Sequence, residues 1–451
     1  MNERRTKLYK AVARSRALIF EVERTIWAHP ETGFREWETH RYLAEIFQKL
    51  GYSLTTAGEI PGFYTEFDTG RPGPKVLVMA ELDGLLAPDH PEAVDGKAHA
   101  CGHNAQCAAL VGVAAALREE GVADGLSGSV RLMLVPGEEL IELEYRERLR
   151  REGKIRYLTG KQEFLSRGMM DGCDLAFLFH GMATGKYDFC CTGGCNGCMT
   201  KNVTYRGRAS HAGAAPEKGI NALYAASLGL QAINSLRETF REKDRVRVHP
   251  IITNGGESVN IIPAAVTMES YVRAASMDAI VKTNRRVNRA LAGTAAAMGA
   301  AVSVSDRPGY SPMHCDLNMS RLAVDCARDL FGEKRVLFDP TMWSTGSTDV
   351  GDVSMVMPAL HPTVGGQSGH QHGADFCVSD PEVSCVGSAQ CQLMLLDALL
   401  ENDAAEAKRV VFEAKPPYPS IPAFLEALDA MIADRELVRE RREDGVTELS
   451  D

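Results

Sequence analysis

The segment AHACGHNAQ sets Cys101 and His103 two residues apart, at the end of a loop and just before a helical pattern. A thiolate and an imidazole are good ligands for a divalent cation, and the positive end of a helix favours the thiolate form. By itself this spacing fits a ligand pair or a buried thiol beside a loop histidine. LVPGEEL puts Glu138 beside Glu139, after Pro136 and Gly137, at the end of an apolar run. Neighbouring residues of an extended chain point to opposite sides, so one carboxylate can hold a metal ion while the other acts as a general base. The alternative is a solvated acidic pair. His180 closes the apolar run LAFLFH, and QSGHQHGADF offers His370 and His372 in a glycine-rich turn, as further ligands or as loop histidines. HExxH, GxxxxGK[ST] and GxSxG are absent from the chain, which removes zincin, P-loop and serine-hydrolase chemistry.

For these groups to meet, strands and helices must alternate. KVLVMAELD, a helical pattern from about Asn104 to Glu120, SVRLMLVP and DLAFLFHG do so, which predicts an α/β domain with a mostly parallel, buried sheet. Ligands of such sheets bind at the carboxyl ends of the strands. Those ends carry Glu81 and Asp83, Glu138 and Glu139, and His180. From about Cys191 the pattern becomes strand, helix, two strands, helix, strand, which is the ferredoxin-like order. The expected organisation is a catalytic domain over residues 1–191 and 313–405, an inserted α+β lid over 192–312, and an extension over 406–451. In that extension KPPYPSIP reads as a linker and Ala423 to Arg442 as a charged surface helix.

A chain of 451 residues exceeds the ~250–300 at which one core stops growing, in keeping with two domains. With 45% apolar and 24% charged residues the composition is globular, and a net charge of −10 argues against a nucleic-acid footprint or a polybasic membrane patch. Near the amino end Glu21 and Glu23 interrupt the apolar run, so a helix is expected there rather than a leader. Cys107 to Leu117, read as the longest weakly polar stretch, falls short of the ~20 residues of a membrane span. A cytoplasmic protein with reduced thiols is expected. Cys190, Cys191, Cys195 and Cys198 lie within nine residues. Their spacing suits a zinc, redox or iron–sulfur site, hence a redox or binding protein, or else small-residue packing.

The chain resembles the metal-dependent aminoacylase/carboxypeptidase-type amidohydrolases, which include hippurate, auxin-conjugate and aminobenzoyl-glutamate hydrolases. The matching segments are HPETGFREWET from His29, AELDGL from Ala80, HACGHN from His99, PGEE from Pro136, GRASHAGAAPEKGINAL from Gly207, SVNIIP from Ser258 and STDVGDVS from Ser347. The resemblance implies a zinc-exopeptidase-like catalytic domain and a ferredoxin-like lid that mediates a homodimer. It further implies two divalent ions per subunit, manganese or zinc with cobalt or nickel as alternatives, held by Cys101, His103, Glu139, His180 and His372. His370 is the rival for the last place. Glu138 is then the general base, His211 polarises the scissile carbonyl, often from the partner subunit, and Asn260 and Arg273 contact substrate. Glu81 and Asp83 are expected to fix a ligand imidazole. Where the auxin-conjugate branch has Asp and a second His, this chain has Asn104 and Gln106, and Asn104 together with STDVGDVS favours the aminobenzoyl-glutamate branch. The expected reaction is hydrolysis of a small N-acyl or N-aroyl amino acid by a metal-activated water, with Glu138 passing its proton to the leaving amine. A dipeptidase or a hydrolytic deaminase on the same site is the alternative.

Overall fold

Two strands that are apolar on both faces, Lys75–Glu81 and Ser129–Val135, run parallel at the centre of a six-stranded sheet in the computed structural model, which describes residues 1–183, 185–440 and 447–449. Leu175–Phe177 and Ala359–Leu360 extend the parallel part on one side. Phe63–Asp68 and Leu54–Thr56 add an antiparallel edge on the other. The sheet belongs to the first of two compact units, Met1–Gly194, Met313–Trp343 and Asp349–Ile421.

The helix His103–Leu117 is buried along all of its residues, because Ala, Val and Gly leave it no polar face beyond the first turn. It packs against Arg16–Trp27 and the long helix Ser388–Glu413. Gly112 permits the first approach, since a Cβ there would come within 2.7 Å of Ile19 Cδ1. Glu382–Glu413 is long and apolar enough, by length and composition, to cross a membrane, so Cys107 to Leu117 is not the longest weakly polar stretch of the chain. Its most apolar window is 89% buried inside the unit, so that apolarity serves the core.

The second unit comprises Cys195–Pro312, Ser344–Thr348 and Pro422–Asp451. Its antiparallel sheet runs in the order Arg247–Asn254, Ala265–Ala274, Gly197–Arg206, Ala301–Tyr310, Ala433–Glu440 and Thr447–Leu449. The helices Ala222–Ser235 and Met277–Ala297 pack on it over one apolar core. The first four of those strands and the two helices have the ferredoxin-like order. Within this core lies a polar cluster. Lys201 and Asp306 face each other across adjacent strands as a buried ion pair, and Asn284 Nδ2 and Asn288 Nδ2 donate to Asp306 Oδ2 at 2.8 and 3.0 Å.

The carboxyl-terminal expectation needs correction. The first unit continues to Ile421, past residue 405, and among its described residues the segment read as a charged surface helix is helical only over Ile421–Asp429, with Arg441 and Arg442 lying outside the described residues. Ala433–Glu440 is instead a strand on the edge of Ala301–Tyr310. Val438 is fully buried against the core while Asp434 pairs with Arg307, so pairing with an open sheet edge outweighs the helical spacing of the charges.

Candidate active site

The carboxyl ends of the central strands do meet in the first unit. Glu81 is the last residue of its strand, Asp83 follows it, and both are fully buried. Asp83 accepts the main-chain N–H of Glu138 at 3.2 Å and of Glu139 at 2.9 Å, which ties the two strand ends together. Gly102, with a φ of 85°, turns the chain into the helix that begins at His103 and leaves Cys101 beside it.

Six side chains converge there. Donor atoms of Cys101, His103 and His180 lie within 4.8 Å of one another, as do those of Cys101, Glu139 and His372, and of His103, Glu138 and Glu139. Both buried imidazoles present Nε2 to this cluster. His103 Nδ1 donates to the Asp83 carbonyl at 2.7 Å and His180 Nδ1 to the Gly181 carbonyl at 2.6 Å, so the Nε2 lone pair of each neutral ring faces inward. His180 Nε2 stands 3.5 Å from Cys101 Sγ. His103 Nε2 has Glu81 Oε2 at 3.2 Å yet makes no hydrogen bond, and Glu139 Oε1, 3.1 Å from His372 Nε2, likewise makes none. Buried nitrogen, sulfur and oxygen donors with unmade bonds in one place are what a divalent ion needs, and these residues fit one.

The electrostatics follow from burial and neighbours. Burial pushes the Cys101 thiol well up and Glu139 adds to the shift, so thiolate there calls for a nearby cation. Burial, then Glu81, Glu139 and Asp349, raise the Glu138 carboxyl well above the usual range. Burial would raise Glu139 too, but His372 and His103 hold it below. Burial lowers His180, which favours the neutral, ligating imidazole.

Of the two late histidines only His372 joins the cluster. Its main-chain N–H donates to the Ala100 carbonyl at 2.8 Å and its φ is 63°. His370 is 89% exposed and pairs with Asp375 instead. Asp83 backs the His103 ring through its carbonyl, whereas Glu81 faces that ring from the Nε2 side. Asn104 and Gln106 both donate to buried carboxylates, Glu23 and Glu81, at 2.9 Å.

The remaining candidates belong to the second unit. His211 Nδ1 accepts the N–H groups of Gly213 and Ala214 at 3.2 and 3.0 Å, which leaves the proton of the neutral ring on Nε2 as a hydrogen-bond donor. Asn260 lies beside this loop, its carbonyl accepting from Ala212 N–H at 2.9 Å. Arg273 Nη1 donates to Ser347 Oγ at 3.1 Å. The structure does not bring Arg273 to His211. His211 bridges to Ile261 just before the strand Ala265–Ala274 begins, and the eight steps from Ala265 to Arg273 separate the two places by about 26 Å at ~3.3 Å per residue.

Three contributors escaped the sequence reading. Lys161 joins Glu81 and Asp349 in a buried ion triad. Glu36 accepts the Gly137 N–H at 2.7 Å. Arg146, 1% exposed, donates to the carbonyls of Gly137, Leu158 and Glu139. Lys161 and Arg146 come from a stretch whose charge density reads as solvated surface, and no local spacing marks them. Only STDVGDVS flagged the neighbourhood of Asp349. Arg146→Met is expected to orphan those carbonyls and cost about 1.5–3 kcal/mol of stability, read from urea unfolding, with a fall in kcat as the Glu138 loop loosens.

The cysteine cluster has a simpler account. None of the twelve cysteines is in a disulfide, and among the described residues Cys190, Cys191, Cys195 and Cys198 enter no group of three metal-ligating side chains. Cys191 and Cys198 are buried packing residues.

Fold and site together define a metal-dependent hydrolase. Residues 77–386 match the model of Peptidase family M20/M25/M40, and the chain belongs to that family. It is 29% identical over 372 residues to Xaa-Arg dipeptidase of Homo sapiens, covering 76% of this chain and 75% of that protein. It is also 29% identical over 300 residues to a p-aminobenzoyl-glutamate hydrolase polypeptide of Escherichia coli (strain K12), covering 63% of this chain and 56% of that one. The solved structure of Bacillus subtilis YXEP protein, described as a dinuclear metal binding peptidase of the M20 family, superposes with a TM-score of 0.65 at 21% identity, over 86% of this chain and 99% of that one.

Proposed function

We propose that this protein hydrolyses the amide bond of small N-acyl or N-aroyl amino acids, with aminobenzoyl-glutamate as the leading type. The observation that carries this is the convergence of Cys101, His103, His180, Glu139 and His372 beside the Glu138 carboxyl. The five residues would hold two divalent ions, manganese or zinc ahead of cobalt or nickel. Such ions acidify a water and polarise a carbonyl when bound. Glu138 takes the proton of the attacking water and returns it to the leaving nitrogen. His211, with its proton on Nε2, donates to the carbonyl oxygen, Asn260 beside it contacts the substrate, and Arg273 holds the substrate carboxylate. His211 and Asn260 lie at one end of a sheet and Arg273 at the other, which supports a homodimer in which a second copy supplies His211 and Asn260. Twelve cysteines without a disulfide support a cytoplasmic setting.

The same machinery would cleave a dipeptide, and the human relative named for Xaa-Arg peptides makes that the second reading. The test is a panel of aminobenzoyl-glutamate, hippurate, N-acetyl amino acids and Xaa-Arg dipeptides, offered to metal-stripped protein with each metal restored in turn. Turnover of an aroyl or acyl amino acid is expected. Turnover of the dipeptides alone moves the assignment to a dipeptidase, and cleavage of none overturns it. Metal removal has its own consequence. At a free metal concentration 100 times the Kd, binding adds about 2.7 kcal/mol per site, so chelation should lower the Tm and restoring zinc or manganese should recover it.

A further inference from the structure

The short helix Gly160–Ser166 delivers into the acidic corner of the site a residue that the proposed hydrolysis does not use. Lys161 is fully buried, and its Nζ lies 2.6 Å from Glu81 Oε1 and 2.5 Å from Asp349 Oδ1. Its main-chain N–H donates to Asp349 Oδ2 at 2.9 Å. Glu81 Oε2 in turn accepts from Gln106 Nε2 at 2.9 Å and faces His103 Nε2 at 3.2 Å. Oxygens of Glu81, Glu138 and Asp349 approach within 4.8 Å of one another. Three carboxylates packed this closely away from water repel strongly unless a cation stands among them, and a buried charge persists only when paired. Here the cation is a side chain of the protein itself, and it touches two of the three.

We propose that Lys161 is a positioning residue for the metal centre, its ammonium clamping Glu81 and Asp349 so that Glu81 is held off the ligating Nε2 of His103, that nitrogen stays open to an ion, and Glu138 keeps its place beside them. The inference rests on the metal-dependent hydrolase reading of the same site. Its physical content is separate from that of a ligand. Lys161 donates to carboxylates and cannot itself coordinate an ion while charged, so it acts through Glu81 on a group that can. Replacing side chains that surround metal ligands without binding the ion commonly changes metal affinity or activity by about 10–100-fold.

The experiment uses the full chain, stripped of metal and titrated with cobalt(II), whose visible absorption reports the geometry of its ligands. Lys161→Met removes the charge and keeps the length. It is expected to stay folded by circular dichroism, to bind cobalt about 10–100-fold more weakly, to shift the visible bands, and at saturating metal to lose kcat with KM changed less than about threefold. Lys161→Arg, which keeps the charge, should recover part of the affinity and the band positions. Cobalt affinity, spectrum and kcat at wild-type values in a folded Lys161→Met protein would overturn the inference. If that variant does not fold, Lys161→Gln, with an amide able to bond both carboxylates, decides in its place. A weaker and spectrally altered cobalt site supports the role, and an unchanged one overturns it. A wild-type protein that binds no cobalt and cleaves nothing in the panel fails the hydrolase reading. Wild-type behaviour of the variants in a working enzyme fails only the role of Lys161.

Discussion

Glu138→Gln is expected to lower kcat by about 10²–10⁴-fold while leaving the metal content at the wild-type level. Glutamine matches glutamate in shape, and the main-chain N–H of residue 138 still donates to Asp83, so the loop keeps its anchor. What disappears is the proton acceptor. The burial and like charges that raise the Glu138 carboxyl give it a proton affinity suited to taking and returning a proton, and an amide has none at neutral pH. The neighbouring substitution separates the two carboxylates. Glu139→Gln removes a donor from the ligand cluster and is expected to lose metal as well as activity, because Glu139 is grouped with Cys101 and His372. Kinetics at saturating substrate, paired with elemental analysis of the dialysed proteins, decides it. A Glu138→Gln enzyme with wild-type kcat, or one that loses its metal, would sink the assignment of roles within the pair.

The second large effect concerns stability. Asp306→Ala is expected to cost about 3–5 kcal/mol, because it leaves the Lys201 ammonium buried without its counter-charge and removes the acceptor of Asn284 and Asn288. Burial already lowers the Lys201 proton affinity against the pull of Asp306, so the folded state has little tolerance for the unpaired charge. The double substitution Lys201→Met/Asp306→Leu takes away both charges and should recover more than half of the loss, since only the two asparagines then lack a partner. Urea unfolding resolved into transitions for the two units is the measurement, with the effect confined to the one that contains Ala301–Tyr310. A loss under about 1 kcal/mol in the single variant would mean that water reaches the pair and that it does not organise this core.

The residues named from spacing are those whose partners are set by short-range geometry. Cys101 and His103 flank one glycine turn, and Glu138 and Glu139 adjoin at one strand end, so a few residues of sequence suffice to place each pair. His180 needed only the rule that apolar strands of a parallel sheet deliver their last residues to one edge. The turn holding His370 and His372 offered two equivalent histidines. The family resemblance favoured His372, and the hydrogen bond from His372 N–H to the Ala100 carbonyl, a partner far back in the chain, brings that histidine to the cluster.

Elsewhere local pattern misled. Ala433–Glu440 carries charges at helical spacing, and only the open edge of Ala301–Tyr310 and the burial of Val438 made it a strand. Lys161 sits in a charge-rich stretch and meets Glu81 from 80 positions away and Asp349 from 188, distances over which sequence carries no signal without topology.

By itself, then, the sequence determined the candidate donor residues, the adjacent carboxylates at one strand end and the alternation of elements, because donor type and strand-end geometry are local properties. The tertiary structure decided which buried cations neutralise and hold that acidic centre, which late histidine joins it, and where the strand Ala433–Glu440 lies. Those outcomes depend on desolvating charges against partners that only the folded topology brings within hydrogen-bond reach.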